Sequence, residues 1–154
     1  MNVTKNKAEG FTIKPMTASD YSDALALWEE SEGIGLNESD SEPAIAQYIA
    51  RNPGFSLVAR DAQGKMLGAV LCGHDGRRGF LYHLAVAKNH RLNGIGRKLV
   101  DQCMSELRKA GIPRCFIFIY ADNEEGKAFW KRHDWEERHH MRIMQYYLAD
   151  VPRT

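Results

Sequence analysis

The sequence predicts an α/β or α+β protein, a mixed sheet with helices packed on it. Two observations carry that prediction. Segments with apolar residues three, four and seven apart alternate with segments whose apolar residues alternate or run together. Clusters rich in Gly, Pro, Asn and Asp separate them, with no internal repeat and no linker. At 154 residues, 44% hydrophobic and 27% charged, the chain has the size and composition of one soluble domain. Residues 1–154 are therefore expected to form a single domain, with 1–10 flexible.

Each element has its own local reason. "FTIKP" (11–15) sets Phe11 and Ile13 against polar neighbours, a strand pattern. Ser19 and Asp20 open a helix carrying Tyr21, Ala24, Leu25 and Trp28 on one face. "EGIGLNESDSE" breaks it. Ser41 and Pro43 restart a helix with Ile45, Tyr48 and Ile49, ended by Asn52-Pro53-Gly54. "FSLVARD" and "MLGAVLCGHD" read as strands around the turn at Ala62-Gln63-Gly64. "DGRRG" turns the chain into "FLYHLAVA", another strand. A helix then carries Ile95, Leu99, Cys103 and Leu107 on one face and ends at Gly111 and Pro113. "RCFIFIYA" (114–121) reads as a strand, "NEEGKAFWKRH" as a short helix, and "WEERHHMRIMQYYLA" as a final pair of strands. The expected order is β-α-α-β-β-β-α-β-α-β-β.

Charge and composition exclude several classes. With 21 basic and 20 acidic residues the net charge is +1, so a field that would attract nucleic acid is lacking. No apolar run is long enough to span a bilayer, and "MNVTKNKAEG" lacks the apolar core of a signal peptide. Cys72, Cys103 and Cys115 have no metal-ligand spacing, so no metal is expected and a reducing cytoplasm fits them best.

"HRLNGIGRKLVDQCM" (90–104) carries the chemistry. A glycine-rich turn at a helix start leaves backbone N–H groups unpaired and lets an anion approach closely, and the helix dipole favours negative charge there. The site suits phosphate, although glycines alone also make a plain strand-to-helix turn. A P-loop is excluded because G-x-x-x-x-G-K-[ST] does not occur. A dinucleotide fingerprint fails because Leu99 stands at the third small-residue position.

Arg91-Leu-Asn-Gly94-Ile-Gly96 fits [QR]-x-x-G-x-[GA], and with it the chain resembles the GNAT superfamily of acetyl-CoA-dependent N-acetyltransferases. "YHLAVAKNHRLNGIGRKLV" looks like that family's strand–loop–helix core. "YADNEEGKAFWKRHDWEE" looks like its next block, and "FTIKPMTASDYSDALALW" like its opening strand and helix. The resemblance covers roughly residues 11–148. It implies a mixed, mostly antiparallel central sheet with helices on both faces.

The resemblance also implies a cofactor, acetyl-CoA, and a pose for it. Pyrophosphate would lie on the N–H groups of Arg91, Leu92, Asn93, Gly94, Ile95 and Gly96, with Arg97 nearby. Pantetheine would enter where strands 80–87 and 114–120 splay, pairing like a strand along Leu84, Ala85 and Val86. A bulge in that strand would aim an N–H at the thioester carbonyl. Asn123 would touch pantetheine or simply cap the next helix, and Trp130 would wall the sulfur.

The sequence departs from the family at two positions. Phe80 stands where many members carry a glutamate base. Tyr82, on the same face by alternation, either passes a proton through water or packs against the acceptor. Asp75, with His74, is a further candidate in a proton relay, although Asp-Gly is also ordinary turn chemistry. His83 is expected on the opposite face from Tyr82, as a packed core histidine. Trp130 replaces the usual tyrosine acid and has no proton to give as an acid. Tyr120 is a weaker substitute. Asp134 replaces a glycine at a helix end, where aspartate tolerates a left-handed backbone. Residues 29–42 hold six acids and no base, either a solvated loop with helix-cap chemistry or an acidic rim for a cationic amine.

The expected activity is acetyl transfer from acetyl-CoA to a primary amine by direct attack in a ternary complex. The acceptor would be a small molecule or a peptide, with no nucleic acid or membrane partner and homodimer formation left open. The alternative is a non-catalytic CoA-binding regulatory module, and thiol release with an amine panel separates the two.

Overall fold

The computed structural model of the chain describes residues 4–6 and 10–154. The chain forms two compact units, one running to Phe118 and the other spanning Ile119–Thr154.

The first unit is built on a six-stranded sheet in sequential order. Its strands are β1 (Thr4–Asn6), β2 (Phe11–Pro15), β3 (Leu57–Asp61), β4 (Met66–His74), β5 (Gly79–Val86) and β6 (Cys115–Ile117). Neighbours from β1 to β5 pair antiparallel, and only β5 and β6 run parallel. Three helices complete the unit: α1 (Tyr21–Glu29), α2 (Glu42–Arg51) and α3 (Ile95–Lys109). The mixed, mostly antiparallel sheet with helices on both faces is as expected. Of the ten residues expected to be flexible, Thr4–Asn6 form β1, and residues 1–3 and 7–9 lie outside the described residues.

Local chemistry explains the helix ends. Ser41 accepts from the N–H of Ala44 at 3.3 Å, and Pro43 sits where a missing N–H costs nothing. One face of the sheet packs against α1 and α2 through Trp28, Ile45, Val58, Ala69, Leu71 and Ala85. The other face takes α3. Its stripe of Ile95, Leu99, Cys103 and Leu107 is buried, as the spacing predicts. Because both faces are covered, β4 is buried from Met66 to Gly73 and reads as a nearly continuous apolar run.

The second unit contains α4 (Glu124–Arg132). Asn123 caps it, accepting from the N–H of Gly126 at 2.9 Å. Asp134 follows with φ 67°, the left-handed conformation expected of it. The expected final strand pair does not form: among the described residues, 135–149 contain no paired strand. Met144 and Leu148 are each 95% exposed. A strand exists only through a ladder with a neighbour, and apolar alternation cannot supply one. The strand expected at 114–121 is also shorter, because its pairing with β5 stops at Leu81↔Ile117.

Candidate active site

Beyond Val86 the chain passes through Ala87 and a 3-10 turn at Lys88–His90 into the glycine loop. Arg91, Leu92, Asn93 and Gly94 are exposed, whereas Ile95 and Gly96 are buried in the first turn of α3. Leu92 has φ 69° and Gly94 has φ 79°, so the loop is wound through left-handed backbone before the helix begins. Gly94 is the N-cap and offers no side chain; the first turn of α3 has no acidic residue. Among the described residues, no acceptor takes the backbone N–H of Gly94, Ile95, Gly96 or Arg97. Lys98 N–H already donates to Gly94 O at 3.1 Å, which places the unpaired donors in the first turn. Arg97 is well exposed and lies 3.6 Å from Asp101. Arg91 turns back, its Nε donating to Val86 O at 3.3 Å. Unpaired donors, the dipole and the lack of an acidic residue in the first turn give this end of α3 the electrostatics that favour an anion.

The strand before the loop is split. β5 keeps β6 as a partner only through Gly79, Phe80 and Leu81, so Tyr82–Val86 have no β6 partner on that edge. The expected bulge is there too. Against β4, Ala69 pairs with Ala85 but Leu71 pairs with Tyr82, so three steps on β5 face two on β4. His83 takes the extra residue's strain, with φ 55°. A β-branched or bulky side chain rarely adopts that backbone.

The bulge corrects the expected direction of His83. Alternation would turn it away from Tyr82, but the inserted residue keeps both on the α1/α2 face. Tyr82 meets Tyr48 of α2 at 6.2 Å between ring centroids. His83 meets Trp28 of α1 at 5.3 Å. Phe80 does share the face of Tyr82, stacked at 6.2 Å and 13°. Phe118 lies 6.0 Å from Tyr82 and is 57% exposed, so the aromatic cluster is open on one side. Burial raises the pKa of Tyr82, so it stays a neutral O–H.

Within the acidic segment 29–42, Glu29, Glu30, Glu32 and Glu38 are exposed, but Asp40 is buried. Asp40 closes the capping box of a 3-10 turn, Glu38–Asp40: one oxygen accepts from Asn37 N–H at 3.0 Å. Its other oxygen lies 2.7 Å from His83 Nε2. The Tyr21 hydroxyl donates to Asp40 O at 2.7 Å and ties that turn to α1. Sequence reasoning missed this pair because 43 residues separate its members and the bulge has no sequence signature of its own.

Asp75 sits in the hairpin turn before β5, at the other end of the strand from the bulge. Its carboxylate accepts from Arg77 and Arg78 N–H at 2.8 Å each, and these bonds lower its pKa. His74 Nδ1 accepts from Gly76 N–H at 2.9 Å, so both residues serve the turn. In the second unit, Trp130 packs on Trp135 at 4.9 Å and on Phe129 at 5.1 Å. Among the described residues, no three His, Cys, Asp or Glu side chains gather to hold a metal.

A sheet split beside a bulge, with a donor-rich helix start behind it, is the architecture that the resemblance to acetyltransferases implies. The chain belongs to the acetyltransferase (GNAT) family, whose model matches residues 22–135. An acetyltransferase of Photorhabdus laumondii is 27% identical over 127 residues, covering 82% of this chain and 87% of that one. Among solved structures, the PaiA N-acetyltransferase of Thermoplasma acidophilum in complex with coenzyme A superposes with a TM-score of 0.70. It is 18% identical, over 80% of this chain and 87% of that chain. An aminoglycoside acetyltransferase from an uncultured soil metagenomic sample, in complex with sisomicin, superposes with a TM-score of 0.71. It is 17% identical, over 94% of this chain and all of that one. At these identities the structures speak for the fold.

Proposed function

We propose that this acetyltransferase moves an acetyl group from acetyl-CoA to a primary amine by direct attack within a ternary complex. One observation carries the reading: the edge of β5 from Tyr82 to Val86, without a β6 partner, is followed through one short turn by the unpaired N–H groups at the start of α3. A peptide-like arm ending in a pyrophosphate needs those two features in that order. The PaiA relative's complex with coenzyme A fits the same reading.

The residues present suit the cofactor. Gly94, Ile95, Gly96 and Arg97 would donate backbone N–H groups to the pyrophosphate, flanked by Arg91, Leu92 and Asn93 and by the charge of Arg97. Leu84, Ala85 and Val86 would offer the strand edge, once Arg91 Nε releases Val86 O. Bound acetyl-CoA supplies an activated thioester. Asn123 and Trp130 remain proposed contacts, Asn123 in addition to its capping bond and Trp130 as an apolar wall.

On the acceptor side, Tyr82 lines the α1/α2 face as a neutral hydroxyl that can relay a proton from the acceptor to water, accepting one as it passes its own on. Asp75 holds its turn rather than facing the bulge, which favours Tyr82 of the two. The acceptor class is a primary amine on a small molecule or a peptide, in keeping with the sisomicin-bound relative. Three free cysteines, two of them buried, support a reducing cytoplasm; among the described residues no helix is long and apolar enough to cross a membrane.

Calorimetry with CoA tests the reading. Gly96→Val should weaken CoA binding at least about tenfold, by blocking close approach of an anion to the backbone, while circular dichroism shows an intact fold. Unchanged affinity in the folded variant would overturn the loop assignment.

A further inference from the structure

We propose that His83 is the residue that takes the proton from the acceptor amine, with Asp40 as its positioning partner; this rests on the acetyl-transfer reading above. Three separate observations converge on His83. First, it occupies the bulge, one residue into the stretch of β5 that has no β6 partner. Second, it has φ 55°, a left-handed backbone that few residues with a Cβ adopt, set here by the bulge. Strain of this kind persists only where the surroundings enforce it, and it clusters at working sites.

The third observation is chemical. Nε2 lies 2.7 Å from Asp40 Oδ1, and the two side chains are 16% and 9% exposed. A carboxylate accepts only, so Nε2 carries a hydrogen, and in the neutral ring Nδ1 is then the nitrogen with the free lone pair. Nδ1 has no partner among the described residues, yet it is absent from the buried unpartnered atoms, so solvent reaches it. A buried acceptor on one ring nitrogen and open space on the other is the arrangement that prepares an imidazole to accept a proton. The carboxylate selects the tautomer and then stabilises the imidazolium. Asp40 is itself held, by Asn37 N–H on its second oxygen and by the Tyr21 hydroxyl on its backbone. Trp28 packs on the imidazole, and its own Nε1 is buried without a partner among the described residues.

The proton balance is complete. An ammonium becoming an amide loses two protons. The first passes to His83 Nδ1 and from there to water, which frees the nitrogen lone pair. The N–C bond then forms and the C–S bond breaks. The second proton ends on the departing sulfur, giving a free thiol. The other ionisable groups near the pair are Tyr21 and Glu29 of α1, Glu42 of α2 and Tyr82 of β5. Of all these groups only Asp40 bonds His83.

The test uses the full chain in two arms. In the first, ¹⁵N-resolved NMR of the imidazole reads the tautomer without any cofactor or acceptor. The neutral His83 ring should carry its hydrogen on Nε2, and Asp40→Asn should abolish that preference. A hydrogen found on Nδ1 overturns the proposal. In the second, acetyl transfer to sisomicin, spermidine and an alanyl peptide is followed against pH, with CoA affinity measured in parallel. His83→Asn is the chosen variant because asparagine tolerates a left-handed backbone. It should retain CoA affinity, lose roughly 10²–10⁴-fold in kcat/KM near neutral pH, and regain rate at high pH where the amine is already neutral. Asp40→Asn should show a smaller loss with the same upward shift of the pH profile. Activity within about threefold of wild type near neutral pH, with CoA still bound, overturns the role of His83 alone. A wild-type chain that binds no CoA overturns the acetyl-transfer reading and this role with it.

Discussion

Cys115 shows how far a residue's surroundings reset its chemistry. It lies on β6, partly exposed, and burial with the nearby Cys72 pushes its thiol pKa up to about 12. Only the thiolate attacks an electrophile, so at pH 8 roughly one thiol in 10⁴ would be reactive. Iodoacetamide at pH 8 should leave Cys115 unlabelled in the native chain and label it after denaturation; rapid native labelling by mass spectrometry would contradict this. Burial raises the thiol pKa of Cys103 as well. The same scale shows where sequence reading succeeds and fails. The left-handed Asp134 and the Asn123 cap follow from residue type alone. The bond between Asp40 and His83 does not, since it depends on how two distant segments meet.

Helices press closest on the sheet where strands carry glycine. A Cβ on Gly73 would lie 2.5 Å from Tyr48 Oη and 2.6 Å from Asn52 Cγ. Asn52 cannot simply swing away, because it is 3% exposed and its Oδ1 accepts from His74 N–H at 2.9 Å. Gly73→Ala should therefore cost about 1–3 kcal/mol, seen as a lower urea midpoint at unchanged slope; a change below about 0.5 kcal/mol would show that α2 yields freely. On the other face a Cβ on Gly68 would meet Leu99 at 2.9 Å and Ala85 O at 3.3 Å. Helix extents were legible because a stripe and its caps lie within one segment. Strand extents were less so. β6 ends at Ile117 and 135–149 stay unpaired because a strand's length is set by its neighbour, which the segment's own residues do not encode.

For the whole chain, the proposed cofactor loop would tie stability to ligand. A molecule that binds only the folded state at about 100 times its Kd adds roughly 2.7 kcal/mol. At this length that raises Tm by about 5–10 °C. Thermal melting with saturating CoA should show such a rise in the wild type and a smaller one in Gly96→Val; no rise in the wild type would remove the ligand from the loop. The family and sheet were legible from the order of elements and one glycine motif, because both survive a change of acceptor chemistry. The bulge has a further consequence. It acts as a phase slip in a two-beat pattern: before it even-numbered side chains look toward α2, and after it Ala85 keeps that side. Gaining or losing one residue between Phe80 and Val86 would put the downstream half out of step and turn Ala85 toward α3. The four-residue turn Asp75–Arg78 only closes a hairpin and can change length without that penalty. Length variation among descendants of this chain should therefore collect in the turn and avoid the seven residues 80–86.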